Sequence, residues 1–185
     1  MPAAGLIVAG VNGSPGSVHA LRYAADLARR HDAILVPLLA WAPPGGDLAD
    51  RKTPDPQLRQ LWKDDAWQRL REAIGTAFGG FPYGVRTWPL ALRGLAGPVL
   101  VKAASATGDL LVIGAGRRAT LLRPASGRVS RYCLHHAHCQ VLAVPPPALA
   151  RQASRGLRGW AWRHRGLDPD SARLHSKRDN TLPST

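Results

Sequence analysis

"DLLVIGAG", residues 109–116, is an unbroken apolar run entering a glycine turn, and "GRVSRYCLHHAHCQVLAVP", residues 127–145, follows it with a helical stretch and a second apolar run. Leu110 to Ile113 show no polar alternation, which describes a strand buried on both faces. Such a strand belongs in a parallel sheet, and parallel neighbours need a crossover. "GRVSRYCLHHA" supplies that crossover as a helix, and "CQVLAVPPP" is the next strand, stopped by its prolines.

The same unit recurs upstream. "LIVAG" (6–10) reads as a strand running into the turn "VNGS", followed by "PGSVHALRYAADLARRHD" (15–32). There Val18, Leu21, Ala24, Ala25 and Ala28 recur at helical spacing, and Arg29, Arg30 and His31 suit the negative end of the helix dipole. "AILVPLLAW" (33–41) is a buried strand, and "APPGGDLADRKTPDPQ" (42–57) reads as a loop by its Pro, Gly and Asp content. A helix is expected from Leu58 to Phe78, with Leu61, Trp62, Trp67, Leu70 and Ile74 on its apolar stripe. "VRTWPLAL" (85–92) is a third strand in which Pro89 marks an edge or a bulge. "GPVLVKAASAT" (97–107) is a short helix. Strands alternating with helices give an α/β fold: a three-layer sandwich whose five-stranded, mainly parallel, open twisted sheet is flanked by helices. In such a sheet a ligand sits beyond the carboxyl ends of the strands where the strand order reverses. "GVNGS" and "IGAG", after the first and fourth strands, mark that place.

The chain has 185 residues and a formal net charge of +13, with 45% apolar residues and two cysteines. Two cysteines make no disulfide framework, and the first residues carry no basic stretch ahead of a long apolar run. A cytoplasmic protein with reduced thiols is expected, with no membrane segment. From Leu110 to Leu167 there are ten arginines and no Asp or Glu, which points to an anionic partner or to compositional bias. After Pro147 the aliphatic periodicity ends. Residues 148–185 read as a basic, weakly ordered tail in which Trp160 and Trp162 are the candidate anchors.

Several chemistries are excluded or weak. Gly114-Ala115-Gly116-Arg117-Arg118-Ala119 satisfies G-x-G-x-x-A, but it follows the fourth strand rather than the first, and no acid follows within about 20 residues to meet a ribose. Cys133, His135, His136, His138 and Cys139 straddle a helix–strand junction, which opposes tetrahedral convergence on zinc. No phosphate-binding loop ending in Gly-Lys-Ser/Thr and no nucleophile elbow occurs. Asp64 and Asp65 read as a solvated helix face, so no catalytic set emerges. What remains is phosphate binding by backbone N–H groups and a helix N-terminus near Gly114 and Gly127.

Residues 5–147 resemble a universal stress protein domain of the actinobacterial kind. The resemblance rests on "LIVAGVNGSPGSVHALRYAADLARRH", "WAPPGGDL", "DLLVIGAG" and "GRVSRYCLHHAHCQVLAVP". It implies an adenine nucleotide alpha hydrolase-like domain over residues 1–147, with a stress-response role, no catalysis, and ATP or another adenine nucleotide as ligand. The family's nucleotide pattern, G-x2-G-x9-G-[ST] after an acid at the end of the first strand, maps onto Asn12, Gly114, Arg117, Gly127 and Arg128. Gly114 and Gly127 match. Asn12 stands where the acid would be, Arg117 where the second Gly would be, and Arg128 where the Ser or Thr would be. Val129 and the nearby hydroxyl of Ser130 complete the expected phosphate cradle. Val11 and Pro37, taken as the ends of strands one and two, would line the nucleoside. The resemblance also implies a homodimer through the last strand, Gln140 to Val144, and leaves room for a regulatory protein partner. The alternatives are a dimeric regulatory module that binds no nucleotide and a nucleic-acid-associated basic protein, drawn to its partner by the acid-free half and the tail tryptophans.

Overall fold

Residues 5–52, 54–116 and 127–146 are described by a computed structural model of the chain. Its elements are β1 (Leu6–Gly10), α1 (Pro15–His31), β2 (Ile34–Trp41), α2 (Gly46–Lys52), α3 (Pro56–Phe78), β3 (Leu90–Arg93), α4 (Ala96–Ala103), β4 (Leu110–Gly114), α5 (Arg128–His136) and β5 (Gln140–Val144). The strands lie in the order β3-β2-β1-β4-β5. All four pairings are parallel, so the sheet is wholly rather than mainly parallel.

Period-two alternation divides the core between two faces. Ile7, Ala9, Leu35, Leu39 and Val112 face α1 and α3, packing on Leu21, Ala24, Ala28 and Leu70. Val8, Val36, Leu38, Leu111 and Ile113 face the other side, with Leu100 of α4 and Cys133 of α5. Each internal strand therefore buries both of its faces, which is why its sequence is apolar without a break.

Two expectations need correction. The segment read wholly as loop after β2 contains the helix α2, Gly46–Lys52, because "DLADRKT" is its one stretch of more than a single residue without Gly or Pro and can close a helical turn. The third strand is shorter than "VRTWPLAL", beginning only at Leu90. Upstream of it Thr87 forms an isolated bridge with Leu35, the Leu35 N–H donating to Arg86 O (2.9 Å) and the Trp88 N–H to Leu35 O (2.8 Å). The register that pairs Leu35 with Thr87 and Leu38 with Leu90 sets Pro37 opposite Pro89. Neither proline has an N–H to donate, so the ladder breaks between them. β3 is an edge strand, as Pro89 required.

The N-terminal side of the sheet is closed by Asp109. Its buried carboxylate accepts from the Leu6 N–H (3.0 Å) and from the Ala106 N–H (3.0 Å), tying β1 to the loop that enters β4. Among the described residues no helix is long and apolar enough to cross a membrane. The chain divides between Pro147 and Ala148. The expectations for the tail, Trp160 and Trp162 included, lie outside the described residues, as does Arg117.

Candidate functional site

The strand order turns around between β1 and β4. From β1 the chain crosses to β2 on one side, and from β4 it crosses to β5 on the other. The two crossovers diverge and leave a crevice at the carboxyl ends of β1 and β4. α1 and α5 both begin there, so two positive helix ends point toward the same crevice.

On the β1 side, Val11 is buried, and its N–H donates to Leu38 O (2.8 Å), continuing the ladder one residue beyond the strand. Asn12 and Ser14 are exposed in the turn. The Ser14 N–H donates to Asn12 Oδ1 (3.1 Å), an Asx turn that orients the Asn12 amide. Ser14 is the N-cap of α1, its Oγ accepting from the Ser17 N–H (3.3 Å). The buried Ser17 hydroxyl donates to Ser14 O (2.9 Å) and accepts from the Asn12 N–H (3.3 Å). The turn is thus held by its own side chains.

On the β4 side, glycine is needed at Gly114 for packing. A Cβ there would come within 3.1 Å of the Gly16 carbonyl oxygen in the first turn of α1. Two residues on, Gly116 has φ 72°, and a Cβ on it would lie 3.3 Å from the backbone of Gly127, whose φ is 91°. Gly116 and Gly127 thus lie backbone to backbone, both in the left-handed region that favours glycine. Gly127 is the N-cap of α5 and offers no capping side chain. The first hydrogen bond of the helix runs from the Arg131 N–H to Gly127 O (3.0 Å), so the N–H groups of Arg128, Val129 and Ser130 stand ahead of it, facing the crevice end.

Arg128 and Val129 are exposed at this helix start, and Arg128 has no ion-pair partner among the described residues. Ser130 is buried, and its hydroxyl donates to Gly114 O (3.0 Å), fastening α5 to β4. Of the residues expected here, Val11, Asn12, Gly114, Gly127, Arg128, Val129 and Ser130 come together around one crevice. Pro37 does not belong at a strand end. It lies within β2, paired with Ala9, with its side chain fully buried. Alternation along β2 puts Pro37 on the face covered by α1 and α3, where it is part of the core. Gly116, Ser14 and Ser17, which also shape these two turns, were not among the expected site residues. Two glycines flanking one residue after β4, and serines three apart at a helix start, were the available signals.

Two other polar clusters have structural explanations. Asp50 of α2 is buried between Arg59 of α3, whose Nε donates to both carboxylate oxygens (2.9 Å), and Arg93 of β3 (2.8 Å). The hydrogen bond from Arg59 is the main cause that holds the Asp50 carboxyl below the usual range. Burial acts in the opposite sense, and Arg93 adds to the lowering. A lowered folded-state value means that this contribution to stability is present above about pH 4 and is lost as pH falls through the folded value. Asp50→Asn is therefore expected to lower the melting temperature at pH 7 and to flatten the decline of stability below pH 4. Melting curves from pH 7 to strongly acidic pH check this, and an unchanged acid limb in the variant would contradict it.

The two cysteines pack in the layer with α4 and α5. Cys133 is buried, and burial first, then the neighbouring Cys139, pushes its thiol up to about 11. Burial raises Cys139 as well. In both, burial favours the protonated thiol over the thiolate that acts as nucleophile. Among the described residues no group of histidines, cysteines and carboxylates converges to hold a metal ion. His136 instead stacks on Tyr132, with ring centroids 4.1 Å apart. A shallow depression of about 340 Å³ lies where α1 ends, at the opposite end of the sheet, lined by Arg29, Asp32 and Arg86. The exposed Arg86–Asp32 pair (3.3 Å) lies there. It carries no chemistry comparable to the crevice.

The profile of the universal stress protein family matches residues 5–145. Among solved structures, a hypothetical protein, MJ0577, whose biochemical function was assigned from its structure, superposes with a TM-score of 0.61 at 14% identity, covering 78% of this chain and 97% of that one. The universal stress protein UspA from Lactobacillus plantarum superposes at 0.53 with 22% identity, covering 76% and 97%. A universal stress protein in complex with cAMP superposes at 0.48 with 22% identity, covering 76% and 95%. At these identities the superpositions show the fold alone. No curated protein matches the chain. With the profile spanning every strand from β1 to β5 and the parallel 3-2-1-4-5 sheet in place, the chain belongs to the universal stress protein family.

Proposed function

We propose that the protein is a stress-response protein that binds an adenine nucleotide, ATP first among them, without turning it over. The observation that supports this reading is the paired approach of Gly116 and Gly127 at the start of α5. It leaves a helix N-terminus bare of side-chain capping in the crevice between β1 and β4, beside the exposed Arg128. Free N–H groups and the positive end of a helix suit a phosphate, and guanidinium groups pair with phosphate in a bidentate manner. In this reading the phosphates lie on Gly114, Gly127, Arg128 and Val129; Arg117, the other arginine of the expected pattern, is outside the described residues. The nucleoside lies toward Val11 and the Asn12 amide. Ser130 supports the cradle by holding Gly114 and is a positioning residue.

The chemistry of the described crevice residues supports a reading without turnover. Its hydroxyls at Ser14, Ser17 and Ser130 are engaged within the fold, and Asn12 is no base. Calorimetric titration of the full chain with ATP and AMP, alongside a phosphate-release assay, tests the reading. Binding of ATP without phosphate release is expected. No binding of either nucleotide would refute it.

The same proposal includes a homodimer through β5. Among the described residues Gln140–Val144 pairs with β4 alone, and an open strand edge invites pairing with another copy. A twofold pair of β5 strands would join the two sheets into one. Light scattering after size exclusion is expected to give twice the monomer mass at micromolar concentration. A monomer under those conditions would remove this part of the proposal.

A further inference from the structure

We infer that residues 81–88, together with the last turn of α1, form a platform for single-stranded nucleic acid at the end of the sheet opposite the crevice. The platform uses none of the crevice residues and does not depend on the nucleotide reading.

The segment "GGFPYGVRTWP", residues 79–89, sets three aromatic rings among small residues and one arginine. Phe81 is 66% exposed, Tyr83 95% and Trp88 64%. None of these rings stacks on another ring among the described residues. One open ring would need no account, but three within eight residues mark a contact surface. The backbone that carries them is pinned to the junction of α1 and β2. Tyr83 O accepts from Arg29 Nη2 (3.2 Å), Arg86 Nη2 donates to Asp32 O (2.7 Å), and the Trp88 N–H donates to Leu35 O (2.8 Å). Arg22 donates to Thr76 O (2.8 Å) and Ala77 O (2.9 Å), fixing the end of α3 that leads to Phe81. Pro82, between two exposed rings, is itself buried. The fold thus presents the rings in place, which lowers the ordering cost of binding.

The charge around the rings selects the partner. The sequence has no Asp or Glu from Ala73 to Gly108. Arg22, Arg29, Arg30 and Arg86 are all exposed at this side of α1, where Asp26 and Asp32 are the acids that meet them. The pairs Arg29–Asp26 (3.0 Å) and Arg86–Asp32 (3.3 Å) are open to solvent. Such pairs are weak enough to exchange for the stronger bond from guanidinium to phosphate. Arg30 has no ion-pair partner among the described residues. Rings interleaved with cations suit a chain of bases joined by phosphates, because the bases stack while the guanidiniums follow the backbone. An apolar protein face would call for aliphatic neighbours, yet the one valine of the segment, Val85, packs on the core.

The test is fluorescence anisotropy of labelled oligo(dT) titrated with the full-length protein at several salt concentrations. Binding that weakens as salt rises is expected. Trp88→Ala and Tyr83→Ala should each weaken it roughly five- to a hundred-fold, the loss of one stacked base, with the salt dependence unchanged. Trp88→Phe keeps a π face and should retain most of the affinity, whereas Trp88→Leu should not. Arg86→Ala should flatten the salt dependence, since one phosphate contact fewer remains. Melting temperatures of the ring variants should stay near wild type, because the side chains are exposed. Oligonucleotide binding that ignores both ring-to-alanine variants, as a basic surface elsewhere would give, overturns the inference. Equal binding by Trp88→Leu and Trp88→Phe overturns it too. Poly-glutamate bound more tightly than oligo(dT), with the same dependence on the rings, would make the partner an acidic protein and overturn it. Absence of oligonucleotide binding by the wild type overturns it while leaving ATP binding standing.

Discussion

Arg128→Ala is expected to weaken ATP binding roughly ten- to a hundred-fold, the loss of one charge-assisted phosphate pair worth about 1.5–3 kcal/mol. The side chain is exposed at the first position of α5 and has no ion-pair partner among the described residues, so its removal costs the fold little. Residues at a helix start that touch no core are usually worth within about half a kcal/mol in stability. The effect should therefore fall on affinity and not on the melting temperature. It should also flatten the dependence of binding on salt, because one fewer screened contact remains.

Calorimetry on wild type, Arg128→Ala and the double variant Arg117→Gly with Arg128→Ser separates two accounts of these arginines. If they carry the phosphates, the double variant binds more weakly than wild type. If they fill a pocket that the ordinary family pattern leaves open, wild type is silent and the double variant binds. That second outcome would refute the site proposed here.

Leu111→Ala is expected to cost about 2–5 kcal/mol of stability, as removal of a fully buried leucine does. Leu111 sits in β4, between Val8 of β1 and Val141 of β5 in the sheet register, and is completely inaccessible. It belongs to the layer beneath α4 and α5, with Leu100 and Cys133. Strand partners on both sides keep the backbone from collapsing into the space left by the side chain, so the upper half of the range is expected. The melting temperature should fall by roughly 5–20 °C. Scanning calorimetry or circular dichroism checks this, and a fall of less than about 2 °C would show that the layer repacks freely.

The fold was legible because its decisive signals are local. Continuous aliphatic runs at Leu6–Gly10, Ile34–Trp41, Leu110–Gly114 and Gln140–Val144 could only be strands with neighbours on both faces or at a buried edge. The stripe Val18, Leu21, Ala24, Ala25 and Ala28 could only be a helix buried on one side, and all five are in the core. Even the weak third strand declared itself through Pro89. The helix α2 escaped notice because its Gly and Pro neighbours outweigh a seven-residue segment in any composition window. Its reason to be helical is tertiary: Asp50 is anchored by arginines nine and forty-three residues away.

The amino-acid sequence by itself determined the α/β architecture, the parallel sheet and the place of the crevice, since strand type, crossover and order reversal follow from hydrophobic periodicity and chain geometry. It also determined the charge of the crevice loops, because no fold can bring a carboxylate out of a stretch that has none. Only the tertiary structure decided which of those residues act together. It removed Pro37 to the core, because register against Ala9 and not position in a motif sets where a strand residue lies. It added Gly116 to Gly127 and turned the Ser130 hydroxyl toward Gly114, since contacts between residues far apart in the chain exist only once β4 and α5 have packed.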